Sequence, residues 1–341
     1  MQVAALAGVS RTTASFVTTG RDDMRISAEA QQRVLRAVSE LGYRPSLLAR
    51  SLRTNRSQTI GLLSDEIASA AAGELLRGSI TSAQLHEHLL FVVESTGAQA
   101  TEKRLIDTML DRGVSGFLYT STYTRRVRIS AALRTHPLVL VNCTTRARTA
   151  ATVIPDEREA GRTAARALLR HGHTDCIVIV GESPPAVQAA AERVFGVHQV
   201  LAAQGLIAAA TIPTAWAPAP AFDAVGAYLA ECRRPTALIC LNDRIAMGAY
   251  QACRDAGLSV PEDISIVSFD DSELAGWLQP QLTSVAVPHF EMGRRAVEIL
   301  LSEPRPLEVH LVPMTLRERA SIGAPAHRRQ ASRNREALRG R

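Results

Sequence analysis

Along most of the chain, short continuous apolar runs alternate with longer stretches in which apolar residues recur every three or four positions. Runs of strand length fall at Thr59–Ser64, Leu89–Glu94, Gly116–Ser121, Leu138–Cys143, Cys176–Gly181, Ala237–Leu241 and Ser265–Phe269. Between them, helix-length amphipathic patterns cover Ala72–Leu85, Thr101–Arg112, Glu157–His171, Ala189–Gln204, Ala221–Cys232 and Arg244–Ala256. Continuously apolar strands separated by helices predict parallel sheets covered on both faces. So many strands exceed one comfortable core, and the pattern predicts two Rossmann-like lobes.

The first residues follow another rhythm. Val3, Ala4 and Leu6 give a short apolar helix, Gly8 permits a tight turn, and Ser10 is placed to cap a second helix from Arg11. That second helix carries Arg11, Thr12, Thr13 and Ser15, all able to hydrogen-bond phosphates or base edges. A third helix is expected from about Ser27 to Leu41, with Gly42 to stop it. The pattern is a helix-turn-helix, and it predicts a DNA-reading head; the blander alternative is an accessory three-helix bundle. Helix 1 as written lacks an N-cap and most of its length, so the natural product is expected to begin a few residues upstream, or the head to be poorly stable.

Composition sharpens this picture. The chain has 341 residues, 46% hydrophobic but only 4% aromatic, which suits an Ala/Val/Leu/Ile core in an α/β protein. The formal net charge is +6, and its placement matters more than its size. Residues 1–58 hold nine arginines against four acids, and the tail from Ala324 holds six arginines against one glutamate, so the middle is acidic. A basic head on an acidic body fits nucleic-acid binding at one end. The tail, 324–341, is expected to be a solvated, disordered extension. No apolar run approaches the roughly 18 residues of a membrane span, and no signal-peptide core opens the chain, so a cytoplasmic location without membrane contact is expected.

The middle offers ligand chemistry without visible reaction chemistry. The five cysteines (Cys143, Cys176, Cys232, Cys240 and Cys253) have no C-x-x-C spacing, so no zinc site or disulfide framework is indicated. His171 and His173 read as a helix-to-strand loop. No Gly-x-Gly-x-x-Gly follows a strand, and the hydrolase and metalloprotease signatures are missing; neither a cofactor nor an enzymatic activity is expected. Polar residues do cluster where strands end: Asp65, Asn142, Asn242 and Asp270. Parallel sheets bind ligands beyond those ends.

The words Ala7-Gly8-Val9-Ser10-x-x-Thr13, Glu40-Leu41-Gly42-Tyr43-x-Pro45 and Ala49-Arg50-Ser51-Leu52-Arg53-Thr54 strongly resemble the lactose-repressor (LacI/GalR) family of bacterial transcription regulators. The likeness continues through Arg193-x-x-Gly196, Asn242-Asp243-x-x-Ala246 and Phe269-Asp270-Asp271 to about Ala324. It implies a small all-α head, 1–44, a hinge helix, 45–57, and a periplasmic-binding-protein-like core of two lobes, 58–323. It also implies a homodimer on double-stranded operator DNA, most simply as a repressor, with a small carbohydrate-like effector held between the lobes. A binding module of the same fold without a DNA role is the alternative. The resemblance extends the DNA-contacting set to Ser10, Phe16, Arg25, Ser27, Tyr43, Ala49 and Arg50, and gives Leu52 a wedging role in the minor groove. Arg193, Asn242 and Asp270 match effector-contacting positions well; Asp65, Asn142 and Trp216 match more loosely. Phe16 and Thr19 stand where many relatives carry Arg and Asn.

Overall fold

The computed structural model describes residues 2–18, 26–43, 58–95, 99–146, 149–181, 187–231, 234–305 and 307–326. Arg25, Ala49, Arg50, Leu52, the 45–57 linker and the tail beyond 326 lie outside the described residues. In the head, α1 (Gln2–Ala7), α2 (Arg11–Thr18) and α3 (Ala28–Glu40) close over Val3, Ala4, Ala7, Ala14, Val34 and Ala37. Gly8 takes φ 62°, as the turn into α2 requires. Ser10 Oγ accepts the Thr13 N–H at 3.0 Å, and Ser27 Oγ accepts the Ala30 N–H at 3.3 Å, so serines start both α2 and α3. Arg33 Nε donates to the Ala7 carbonyl at 3.1 Å, tying α3 to the end of α1.

The remainder forms two six-stranded sheets, each the centre of one lobe. The strands are β1 (Thr59–Ser64), β2 (Leu89–Glu94), β3 (Gly116–Arg126), β4 (Leu138–Thr144), β5 (Ala151–Pro155), β6 (Ile177–Val180), β7 (Ala210–Ile212), β8 (Ala237–Cys240), β9 (Ser265–Asp270), β10 (Thr283–Ala286), β11 (Val309–Val312) and β12 (Thr315–Arg317). The first sheet runs β11-β5-β4-β3-β1-β2 and the second β12-β10-β9-β8-β6-β7. The neighbours from β11 through β5, β4 and β3 to β1, and from β10 through β9, β8 and β6 to β7, pair in parallel as expected, and β12 runs antiparallel to β10.

The chain passes between the lobes three times. After β5 it enters the helix Glu157–Arg170, which packs in the second lobe's core. After β10 it returns through the helix His289–Leu301, whose Met292, Ala296 and Val297 join the first lobe's core beside Ile60 and Leu62. From β11 to β12 it crosses again. Five strands escaped the sequence pattern: β5, β7, β10, β11 and β12, none longer than five residues. The helix His289–Leu301 was also missed.

Two glycines decide how closely the second lobe's first helices approach. A Cβ on Gly161 would sit 2.0 Å from the Arg193 carbonyl oxygen, and one on Gly196 would sit 2.0 Å from that of Arg158. The helices Glu157–Arg170 and Gln188–Ala203 therefore cross almost backbone to backbone. This crossing brings Glu157 and Arg193 together.

Candidate functional site

Strand ends from both sheets open on a cleft of about 800 Å³ between the lobes. Asn142 reaches it from β4, Asn242 follows β8, and Asp270 ends β9. Asn142 and Asp270 have φ of 55° and 104°, the left-handed region that turns a strand sharply away from its sheet. Asn and Asp tolerate that region better than other residues with side chains.

At the centre lies a buried charge cluster. Arg193 Nε donates to Glu157 Oε2 at 2.6 Å and Nη2 to Oε1 at 3.3 Å; Nη1 reaches the Leu241 carbonyl at 2.5 Å and Asp270 Oδ1 at 3.3 Å. The Arg193 and Glu157 side chains are only 3% and 5% exposed, whereas a third of Asp270 faces the cleft. Burial works against the guanidinium charge, but Glu157 and Asp270 outweigh it and the Arg193 pKa is raised. Burial lifts the Asp270 carboxyl to about 7, with Asp243 and Glu157 adding to the rise and Arg193 opposing it. His289, also on the cleft wall, is driven down to about 4 by burial and the nearby Arg193, which leaves it a neutral imidazole at pH 7.

Each expected ligand contact has a definite placement. Asn242 caps the helix Asp243–Asp255, its Oδ1 accepting the Ile245 N–H at 2.7 Å, so its amide NH2 is the part left for a ligand. Asn142 Oδ1 accepts the Thr124 hydroxyl at 2.7 Å, and that hydroxyl lies 3.4 Å from Glu157 Oε1, linking the two lobes. Trp216 stands in the wall with its ring 5.8 Å from the Arg193 guanidinium and 5.7 Å from Tyr123. Asp65 is turned inward instead: Ser121, Thr122 and Arg125 all donate to its carboxylate at 2.7 to 2.9 Å, and Glu66 lines the cleft in its place. Sequence reasoning missed Glu157, Tyr123, Trp277 and His289. Glu157 and His289 begin helices whose preceding segments were not read as strands.

In the head, Ser10, Arg11 and Thr12 are exposed along the start of α2, while Thr13, Ser15 and Phe16 are half-buried. Ser10 and Thr13 also share a 2.8 Å hydroxyl contact, so both take part in starting the helix. Ser27 caps α3 and Tyr43, 44% exposed, follows its C-terminus.

A helix-turn-helix head with a two-lobed periplasmic-binding-protein-like core is a Lac repressor-like fold, and comparison with known proteins agrees. Residues 1–46 match the model for bacterial regulatory proteins of the lacI family, and residues 165–322 match a periplasmic binding protein-like domain. The ribose operon repressor of Haemophilus influenzae is 32% identical over 308 residues, spanning 88% of this chain and 90% of that one. The HTH-type transcriptional repressor PurR of Vibrio campbellii is 32% identical over 310 residues with the same coverage. A crystal structure of the lac repressor dimer bound to operator and an anti-inducer superposes with a TM-score of 0.78 at 25% identity, covering 94% of this chain and 98% of that one. The chain belongs to the lacI family of bacterial regulatory proteins. Its relatives are transcriptional repressors rather than enzymes. Among the described residues no helix is long and apolar enough to cross a membrane.

Proposed function

We propose that the protein is a cytoplasmic, non-enzymatic transcriptional repressor that binds operator DNA as a homodimer and is controlled by a small carbohydrate-like ligand between its lobes. The observation that carries this reading is one chain holding both a helix-turn-helix head and a cleft lined from opposite lobes by Asn142 and by Asn242 and Asp270. Those groups suit hydroxyls: the amide donates and Asp270 accepts. A ligand gripped by both lobes favours one inter-lobe arrangement, and only such differential affinity can shift DNA binding. Relatives support both halves: the lac repressor structure carries operator, and another relative is a ribose operon repressor.

In this reading residues 1–44 read DNA, 45–57 form the hinge, 58–323 bind ligand and dimerise, and 324–341 are a basic tail. Ser10, Arg11, Thr12, Thr13, Ser15, Phe16, Arg25, Ser27, Tyr43, Ala49 and Arg50 contact DNA, and Leu52 wedges the minor groove. Fluorescence anisotropy with DNA from upstream of the gene tests it. Specific binding that a sugar from a panel weakens is expected; no preference over random DNA overturns it.

A further inference from the structure

Arg193 is the most buried cation on the cleft wall, yet its fork is already taken. Four of its N–H directions are spent on Glu157, Asp270 and the Leu241 carbonyl. A phosphate or carboxylate entering the cleft meets a guanidinium whose charge is already matched. Drawing Arg193 away would strand Glu157, 5% exposed, as an uncompensated buried charge. The other wall charges point the same way. Glu74 is paired with Arg77, and Asp271 lies 2.6 Å from Arg319. Among the remaining described lining residues the acids are Glu66, Glu157, Asp270 and Glu273, and the guanidiniums are Arg193 and Arg244.

The same walls carry aromatic faces. Tyr123 and Trp216 stand ring against ring, each already approached by a guanidinium, Arg125 at 5.9 Å and Arg193 at 5.8 Å, whereas Trp277, 68% exposed, borders the second lobe's side. The buried Trp216 Nε1–H has no hydrogen-bond partner among the described residues. Trp277 shares its wall with Asp270 and Glu273, and an aromatic face beside carboxyl groups attracts an ammonium through the ring quadrupole and charged hydrogen bonds, while Trp216 offers an indole to the C–H face of a polyol.

We propose that the cleft takes an amine-bearing polyol, an amino sugar or aminated sugar alcohol, and rejects phosphorylated and carboxylated sugars, with Glu157 setting that choice. This rests on the reading of the cleft as the site of a polyhydroxyl ligand. Glu157 acts as a positioning residue: it takes up most of the Arg193 fork, which leaves the cleft-facing Asp270 carboxyl, held by Arg193 through one 3.3 Å contact, as the group that an entering ammonium ionises and pairs with.

Isothermal titration of the full-length protein tests this with matched sets: D-glucose, D-glucosamine and a glucose phosphate; D-galactose, D-galactosamine and a galactose phosphate; sorbitol, aminosorbitol and a sorbitol phosphate. In at least one set the amine is expected to bind about tenfold tighter than its neutral parent, the scale of one cation–aromatic contact with a charged hydrogen bond, and the phosphate not at all. Glu157→Gln, nearly isosteric and checked for folding by urea unfolding, should shrink that preference and admit the phosphate ester. A neutral parent binding as tightly as its amine, a phosphate ester binding the unaltered protein, or silence toward every amine overturns the proposal. Operator anisotropy on the same samples separates it from the regulatory reading. An amine that binds without changing operator affinity removes the regulatory reading alone; a neutral sugar that releases operator while amines stay inert removes the ligand class alone.

Discussion

The guanidinium of Arg193 holds three elements at once: the start of the helix Glu157–Arg170, the exit of β8 at Leu241 and the end of β9 at Asp270. Its removal is therefore a stability change before it is a binding change. Arg193→Ala should cost about 3 kcal/mol, the scale of a buried pair broken from one side, and adding Glu157→Gln should recover much of it. Urea unfolding of the two single variants and the double variant measures the coupling; strictly additive losses would show that the pair is not coupled. Asp270 predicts a pH dependence of definite sign. Its carboxyl titrates at about 7 in the folded protein, against about 3.9 unfolded, so between those values the folded state holds the extra proton. Stability contributed by that group falls as pH rises from about 4 to about 7. Relative to Asp270→Asn, the unaltered protein should therefore lose stability across that window, a comparison in which His289 cancels. An unchanged difference would mean that Asp270 is ionised throughout.

At the scale of elements, the crossing of Glu157–Arg170 over Gln188–Ala203 has no room for a side chain at Gly161. Gly161→Ala should separate the helices, cost roughly 1–3 kcal/mol as overpacked sites do, and weaken ligand binding by displacing Glu157 from Arg193; urea midpoints and titration read both. In the head, Ser10→Ala removes the α2 cap and should cost about 1 kcal/mol, read as lost helical signal on heating. The long elements were legible because burial repeats along them: β1, β4 and β9 are buried at every position but one end, around the apolar runs Leu62–Leu63, Leu138–Val141 and Ile266–Val267, and the helix Asp243–Asp255 buries Ile245, Ala246, Ala249 and Cys253 on one face. The short strands were not, because three to five residues hold no period and β7 and β11 are edge strands with exposed positions. The cleft was half legible for a related reason. Asn142, Asn242 and Asp270 end runs that could be recognised as strands, whereas Glu157 follows β5, which hides behind a polar stretch. Asp65 sits at an equally good strand end, and nothing in its neighbours' identities signals that Arg125 claims it.

At the scale of the whole molecule, the charge imbalance predicts how DNA binding responds to salt. With nine arginines in the first 58 residues of each protomer, operator affinity should fall steeply between low and physiological salt as counterions are released; a flat response would remove the phosphate-dominated account. The three passages between lobes carry another consequence, for the order in which the molecule is made. Residues 157–286 are one unbroken insertion that supplies five of the six strands of the second sheet, whereas the first sheet needs β11 and the helix His289–Leu301, both from the far end of the chain. On the ribosome, which adds about 5–20 residues each second, the lobe begun first is the lobe finished last. Nascent chains stalled soon after β10 clears the exit tunnel should resist protease across the second lobe while the first is still cut.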